Sequence, residues 1–210
     1  MKKIASPLFQ DLSEAELDTL AAAGHLRTRQ FAKHEVIFHA GSCVREIGIV
    51  LRGSVHIENL DLWGTKSILS SVGAGQAFAE TYAFCGEALM VDAVAAEHCE
   101  ILFLHTAALT DARIEPALKD KLLRRLLAVS MRKNLSLSQR IFCTTPKTVR
   151  GRLLTYFSAQ AARCGRINRQ QMADHLNLDR SALSKELCKM RDEGLLEFDK
   201  NRFVLKQLPE

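Results

Sequence analysis

No apolar run in this sequence approaches the ~20 residues a membrane span needs. The lysines of the opening Met1-Lys2-Lys3 have no apolar segment behind them, so nothing there reads as a signal peptide. A cytoplasmic protein with no membrane partner is expected. The six cysteines (43, 85, 99, 143, 164 and 188) stand singly, with no Cys-x-x-Cys pair and no clustered Cys/His spacing. Their pattern argues against a disulfide scaffold or a structural zinc site, and each reads as a small buried hydrophobe. Catalytic signatures are missing as well. There is no Gly-x-Ser-x-Gly, no phosphate loop and no His-Glu-x-x-His, and the seven histidines are dispersed. Neither a metal site nor an enzyme is expected.

What is present is an asymmetry. Hydrophobic residues at 47% and charged residues at 25% are ordinary for a globular chain of 210 residues. The net charge of +5 divides unevenly: residues 1–115 carry 9 Lys/Arg against 15 Asp/Glu, and residues 116–210 carry 20 against 9. An acidic half of −6 joined to a basic half of +11 points to nucleic acid at the basic end.

Ser13-Glu14-Ala15-Glu16 is a capping box that opens a helix, which Gly24 stops. From His25 to His105, short Val/Ile/Phe-rich runs are punctuated by glycines: EVIFHA, REIGIVL, SVHIENL, TKSILSSV, ALMVDAVA and CEILFLH. Strands of this length and spacing predict an antiparallel barrel or jelly roll. Residues 75–87 lack alternation and read as a loop with one short helical turn. Thr106 is placed to cap a short helix, and Pro116 to begin a long one.

From Pro116 to Phe142 there is no glycine and no further proline. Leu123, Leu127, Ser130, Asn134, Leu137 and Ile141 step by 4, 3, 4, 3 and 4, a coiled-coil seam flanked by Leu122, Leu126 and Met131. At ~1.5 Å per residue the helix is about 40 Å long, more than a small barrel can cover, so a parallel homodimer is expected. Ser130 and Asn134 would hold its register. Thr145 is placed to cap, and Pro146 to begin, the next helix, leaving Thr144-Thr145 as a hinge.

Beyond residue 146 the pattern is helix, helix, turn, helix, hairpin. Asn168 caps RQQMADHL, Asn177-Leu178-Asp179 turns the chain, RSALSKELCKMRDEG follows, and LLEFDKNRFVL forms a two-strand wing. Two helices across so short a turn fit a helix-turn-helix. On the second, Arg180, Ser181, Ser184 and Lys185 share one face with no acidic residue among them. Arg and Lys suit guanine O6/N7 and Ser suits either partner. Asp179 is better placed to cap that helix than to meet DNA.

The chain at this point resembles the Crp/Fnr family, from Phe9 to Lys206. The stretches that carry the resemblance are Ile49-Val50-Leu51-Arg52-Gly53-Ser54-Val55, then Gly64-x-Lys66-x-Ile68-Leu69, then Gly75-x-x-Phe78-x-Glu80, and finally Arg180 to Leu187. The resemblance implies an α+β chain with three parts. These are a cyclic-nucleotide-binding-like double-stranded β-roll over 1–115, a dimerisation helix over 116–143, and a winged helix-turn-helix over 144–210. It also implies a palindromic double-stranded DNA operator, RNA polymerase as a partner, and base contacts from Arg180, Ser181, Ser184 and Lys185. Phosphate contacts would come from Arg169 and Gln170, with Lys200 of the wing also toward DNA.

The departures concern the effector. Cyclic-nucleotide binders of the family carry Gly-Glu and, later, Arg-Ser/Thr. Here Ala79 precedes Glu80, Leu89-Met90 fall where Arg-Ser would, and no arginine lies between Gly53 and Arg113. A buried phosphate without a cation is very costly, so the effector is expected to be something other than a cyclic nucleotide. Glu80, Thr81, Leu89, Met90, Val91 and, on the long helix, Ser138 are the candidate pocket residues. The family's iron–sulfur sensors use clustered N-terminal cysteines, and the first here, Cys43, is alone. No cofactor is expected. Two alternatives stay open: an effector-free barrel that serves dimerisation or protein docking, and a haem or redox sensor, although His98 beside Cys99 reads first as an edge histidine.

Overall fold

The computed structural model describes residues 4–60, 66–160, 168–199 and 202–206. Two compact units, Met1–Met131 and Arg132–Glu210, divide the chain. They part inside the long helix rather than at either end of it.

Two four-stranded antiparallel sheets make the first unit. One orders β1 (Leu26–Phe31), β8 (Cys99–His105), β3 (Glu46–Arg52) and β6 (Ala77–Phe78); the other orders β2 (Val36–Phe38), β7 (Asp92–Ala95), β4 (Val55–Leu60) and β5 (Lys66–Val72). Val50, Ile101 and Phe103 from the first sheet join Val55, Val72, Ala93 and Ala95 from the second in one buried cluster. Their chain neighbours Ile47, Ile49, Leu102 and Leu104 turn to the opposite face and pack with helices. β8 is therefore buried on both sides, which is why CEILFLH is a near-continuous apolar run rather than an alternation.

One strand carries no apolar alternation at all. β1, Leu-Arg-Thr-Arg-Gln-Phe, buries only its two ends and is held by antiparallel pairing to β8. Its arginines lie over rings, Arg27 at 4.9 Å from the centroid of Phe103 and Arg29 at 4.6 Å from that of Phe31. In the other direction, ALMVDAVA yields a strand only from Asp92; before it, Cys43 and Ala88 make an isolated bridge.

The capping box forms as read: Glu16 N donates to Ser13 Oγ at 3.2 Å and Ser13 N to Glu16 Oε2 at 2.8 Å, opening α1 (Glu14–Ala22). Glu16 also accepts from Lys121 Nζ at 2.7 Å, tying α1 to the long helix. The short turn in the 75–87 loop is α2 (Glu80–Cys85). A 3₁₀ turn follows β8, but His105 caps it, Ala107 N donating to its Nδ1 at 3.1 Å. The expected cap, Thr106, instead donates its hydroxyl to Arg45 O.

α3 (Pro116–Thr144) divides its apolar residues between two tasks. Leu118, Leu122 and Leu126, four apart, are buried against the roll. Leu123, Leu127, Leu137 and Ile141 are 48–58% exposed.

The second unit holds α4 (Val149–Gln160), α5 (Arg169–Leu176), α6 (Arg180–Asp192) and the two-strand wing, β9 (Leu196–Asp199) with β10 (Arg202–Leu205). Leu153, Tyr156, Phe157, Met172, Leu176, Leu183, Leu187 and Met190 form its core, and Cys143 from the end of α3 joins them. The start of α4 differs from the expectation. Thr145 bonds back, its N and Oγ1 both reaching Ile141 O (2.9 and 2.8 Å), so it closes α3. Thr148 opens α4, with Gly151 N donating to its Oγ1 at 3.0 Å. A threonine hydroxyl can serve either helix end, and here the carbonyl one turn back is the nearer partner. Of the five cysteines described, Cys99 and Cys143 are buried, whereas Cys43 and Cys85 are exposed and depart from the buried reading.

Candidate nucleic-acid interface

The face expected to meet DNA is assembled by caps. Asn168 accepts from Gln170 N at 2.8 Å and starts α5. Asn177 takes the left-handed conformation (φ 51°) that ends it, a backbone region Asn tolerates better than most side chains. Asp179 then accepts from Ser181 N (2.7 Å) and Ala182 N (3.3 Å) to start α6. The Ser181 hydroxyl and these amides hold the Asp179 carboxyl below its ordinary range. Its charge is spent on the helix N-terminus, where a negative group is favourable.

Arg180, Ser181 and Lys185 are exposed on α6 and Ser184 is half-buried behind them. The next residue, Glu186, would set a negative charge beside Lys185. Arg150 of α4 takes it up, Nε to Glu186 Oε1 at 2.7 Å, while its other nitrogens reach Glu193 at 2.7 and 2.8 Å. Together the two carboxylates, Glu193 first, raise the Arg150 guanidinium well above its ordinary value. Bidentate arginine pairs of this kind fix geometry as well as charge, so α6 and its C-terminal cap are braced against α4 at two points, seven residues apart.

At the start of α5, Arg169 is half-buried and Gln170 exposed. The Arg169 guanidinium stacks on the wing, 4.7 Å from the Phe198 centroid and 6.0 Å from that of Phe203. Gln170 Nε2 donates to Asp174 Oδ1 at 2.9 Å. Lys200 lies outside the described residues. Arg150 and Phe198 were not singled out from sequence. Arg150 meets Glu186 across 36 positions, a separation with no local signature, and Phe198 showed only as one alternating residue of the wing.

On α3, all six seam residues are at least partly open to solvent: Leu123, Leu127, Asn134, Leu137 and Ile141 are exposed and Ser130 is half-buried. Met131, Leu135 and Phe142 are exposed beside them.

In the roll, Glu80 and Leu89 are buried, Val91 is half-buried, Thr81 is exposed and Met90 is 77% exposed. Ser138 is exposed on the part of α3 that belongs to the second unit. Ala79, immediately before Glu80, sits in the left-handed region (φ 62°), where a Cβ is unfavourable. Between the sheets the rings of Phe31, Phe38, Phe78 and Phe103 pack in succession, with centroids 5.6–6.1 Å apart. Phe78 lies where a Cβ on Gly48 would be, 2.2 Å from its ring. His98 is exposed, and Cys99 Sγ donates to Ser54 O at 3.0 Å. Among the described residues, no three His, Cys, Asp or Glu side chains group as a metal site. No described helix is long and apolar enough to cross a membrane.

Residues 28–113 match the family model described as the cyclic nucleotide-binding domain. In fold the chain is similar to the c-di-GMP-responsive global regulator CLP of Xanthomonas campestris, at 18% identity and a TM-score of 0.55 over 93% of this chain and 100% of that one. FixK2 of Bradyrhizobium japonicum is similar at 18% identity and a TM-score of 0.51, covering 87% and 93%. A cyclic nucleotide-binding domain from Methylobacillus flagellatus matches at 22% identity and a TM-score of 0.56, covering 67% and 76%. No curated protein matches the sequence.

Proposed function

From a chain with the Crp/Fnr fold, whose residues 28–113 match the cyclic nucleotide-binding domain, we propose a cytoplasmic, homodimeric transcription regulator that reads a palindromic operator through α6 and is not an enzyme. The observation that carries this reading is the solvent-facing row Arg180, Ser181 and Lys185, cleared of negative charge because Asp179 is consumed as a cap and Glu186 is held by Arg150. A second helix that presents its N-terminal residues this way is what major-groove readout requires. Arg169 and Gln170 would take phosphates, and RNA polymerase would be the protein partner at a promoter.

The test is binding to an operator selected from random duplexes. Arg180→Ala or Lys185→Ala should each cost ~1–3 kcal/mol there and relax preference at one base pair. An equal loss on random DNA would make them phosphate contacts instead.

The effector is a species other than a cyclic nucleotide. Matching the domain does not supply a cation for a cyclic phosphate, and no arginine lies between Gly53 and Arg113. Calorimetry should show no saturable heat with cyclic AMP or cyclic GMP at micromolar concentration; saturable binding of either would overturn this. An effector-free roll is favoured by one observation, the Phe31–Phe103–Phe38–Phe78 succession that packs the space between the sheets. A haem-bound form would announce itself in the absorption spectrum of the purified protein.

A further inference from the structure

Ser181 is the second residue of α6, exposed, with its Oγ 2.5 Å from Asp179 Oδ1. Asp179 is ionised at neutral pH, so the carboxylate offers only lone pairs and the proton in that contact belongs to the serine. A hydroxyl has one proton and two acceptor lone pairs. Free serine is read as amphoteric toward base edges for that reason. With its proton committed, Ser181 turns only lone pairs outward. Rotating the hydroxyl to donate elsewhere would forfeit a charge-assisted bond, about twice as strong as a neutral one.

We infer that Ser181 is a specificity-determining acceptor, polarised by Asp179, which selects a base bearing an exocyclic amine on the strand it faces. Adenine N6 and cytosine N4 supply such a donor in the major groove. Guanine O6 and thymine O4 would set lone pair against lone pair, and those bases are rejected. Asp179 touches no base in this scheme and acts as a positioning residue for the hydroxyl proton. The inference rests on α6 being the recognition helix.

Selection from random duplex DNA with the full-length protein tests it, using wild type, Ser181→Ala and Asp179→Ser. The last keeps a hydroxyl at the cap while removing the charge. Wild type should enrich a motif in which one position and its symmetry mate lose their preference in Ser181→Ala. Replacing the adenine or cytosine of that base pair by its analogue lacking only the exocyclic amine should weaken wild-type binding roughly tenfold and leave Ser181→Ala binding little changed. In Asp179→Ser the same position should admit all four bases while the positions read by Arg180 and Lys185 keep theirs. Full wild-type affinity for the duplex lacking that amine, unchanged discrimination in Asp179→Ser, or no position altered in Ser181→Ala would each overturn the inference and leave the DNA-binding reading standing. A wild-type protein that enriches no motif would overturn both. The amine deletion is made at each position of the motif in turn and read with wild-type protein, so a poorly folded variant does not remove the test.

Discussion

Asp111 shows at the scale of one residue how a loop is held by charge. Its carboxylate receives the Arg113 guanidinium at 2.6 Å and lies 2.7 Å from Nε2 of the buried His25. The Arg113 contacts first, then His25, hold the carboxyl well below the usual range. A folded-state pKa below the unfolded one stabilises the fold at pH above the unfolded value, ~3.9 for Asp, and that contribution disappears as pH falls toward the folded value. Asp111→Asn should therefore lower the urea midpoint by more at pH 7 than at pH 2, flattening the acid limb. An equal difference at both pH values would show that the asparagine disturbs packing rather than charge. Nothing local in His-Leu-Arg or Thr-Asp-Ala-Arg announces this pair: 86 positions separate His25 from Asp111.

Among the elements, the wing and α5 are joined by a cation on rings. Phe198 packs beside Phe203 at 5.6 Å, and both Arg169 (4.7 Å) and Arg191 (5.4 Å) lie over Phe198. On the proposed reading an arginine held this way would be aimed before DNA arrives, which would spare part of the ordering cost of binding. Cation–π contacts contribute ~0.5–2 kcal/mol. Phe198→Leu should weaken binding to operator and random DNA by the same factor and reduce the slope of log affinity against log salt by up to about one, as Arg169→Gln should. A Phe198→Leu protein with lower thermal stability and an unchanged salt slope would confine Phe198 to packing the wing. The wing itself was legible from LLEFDKNRFVL by alternation. Its contact with α5 was not, because alternation reports which side is apolar and not what lies against it.

For the whole molecule, α3 connects burial in the first unit with an open stripe. Leu118, Leu122 and Leu126 are buried on the roll by the 3.6-residue period, whereas Leu123 and Leu127 in the first unit and Leu137 and Ile141 in the second are exposed. On the proposed dimeric reading these exposed leucines would supply the contact surface, and the heptad spacing fits a second copy of the same helix. Leu127→Glu with Ile141→Glu should give monomers, since four like charges would meet across the seam, and tight operator binding should be lost with the dimer. Sedimentation decides it: a double variant that still runs as a dimer places the interface elsewhere.

Periodicity, caps and turn residues are properties of neighbouring positions, and they determined the order of elements here. The Ser13–Glu16 box, the Asn168 and Asp179 caps, the glycine-punctuated strands and the unbroken run from Pro116 could all be read before any contact was known. So could the missing arginine between Gly53 and Arg113, because an absence from the sequence is an absence from every fold. The tertiary structure alone decided what depends on partners far along the chain. β1 is a strand because β8 offers it main-chain hydrogen bonds, not because LRTRQF alternates. Thr145 closes α3 because the Ile141 carbonyl is within reach. Glu186 is drawn by Arg150 away from the exposed row of Arg180, Ser181 and Lys185, and the Ser181 proton is fixed by a carboxylate that sequence showed only as a cap. Local preference selects an element, whereas the direction of a polar side chain is set by whichever charged group the folded chain brings to within 3 Å of it.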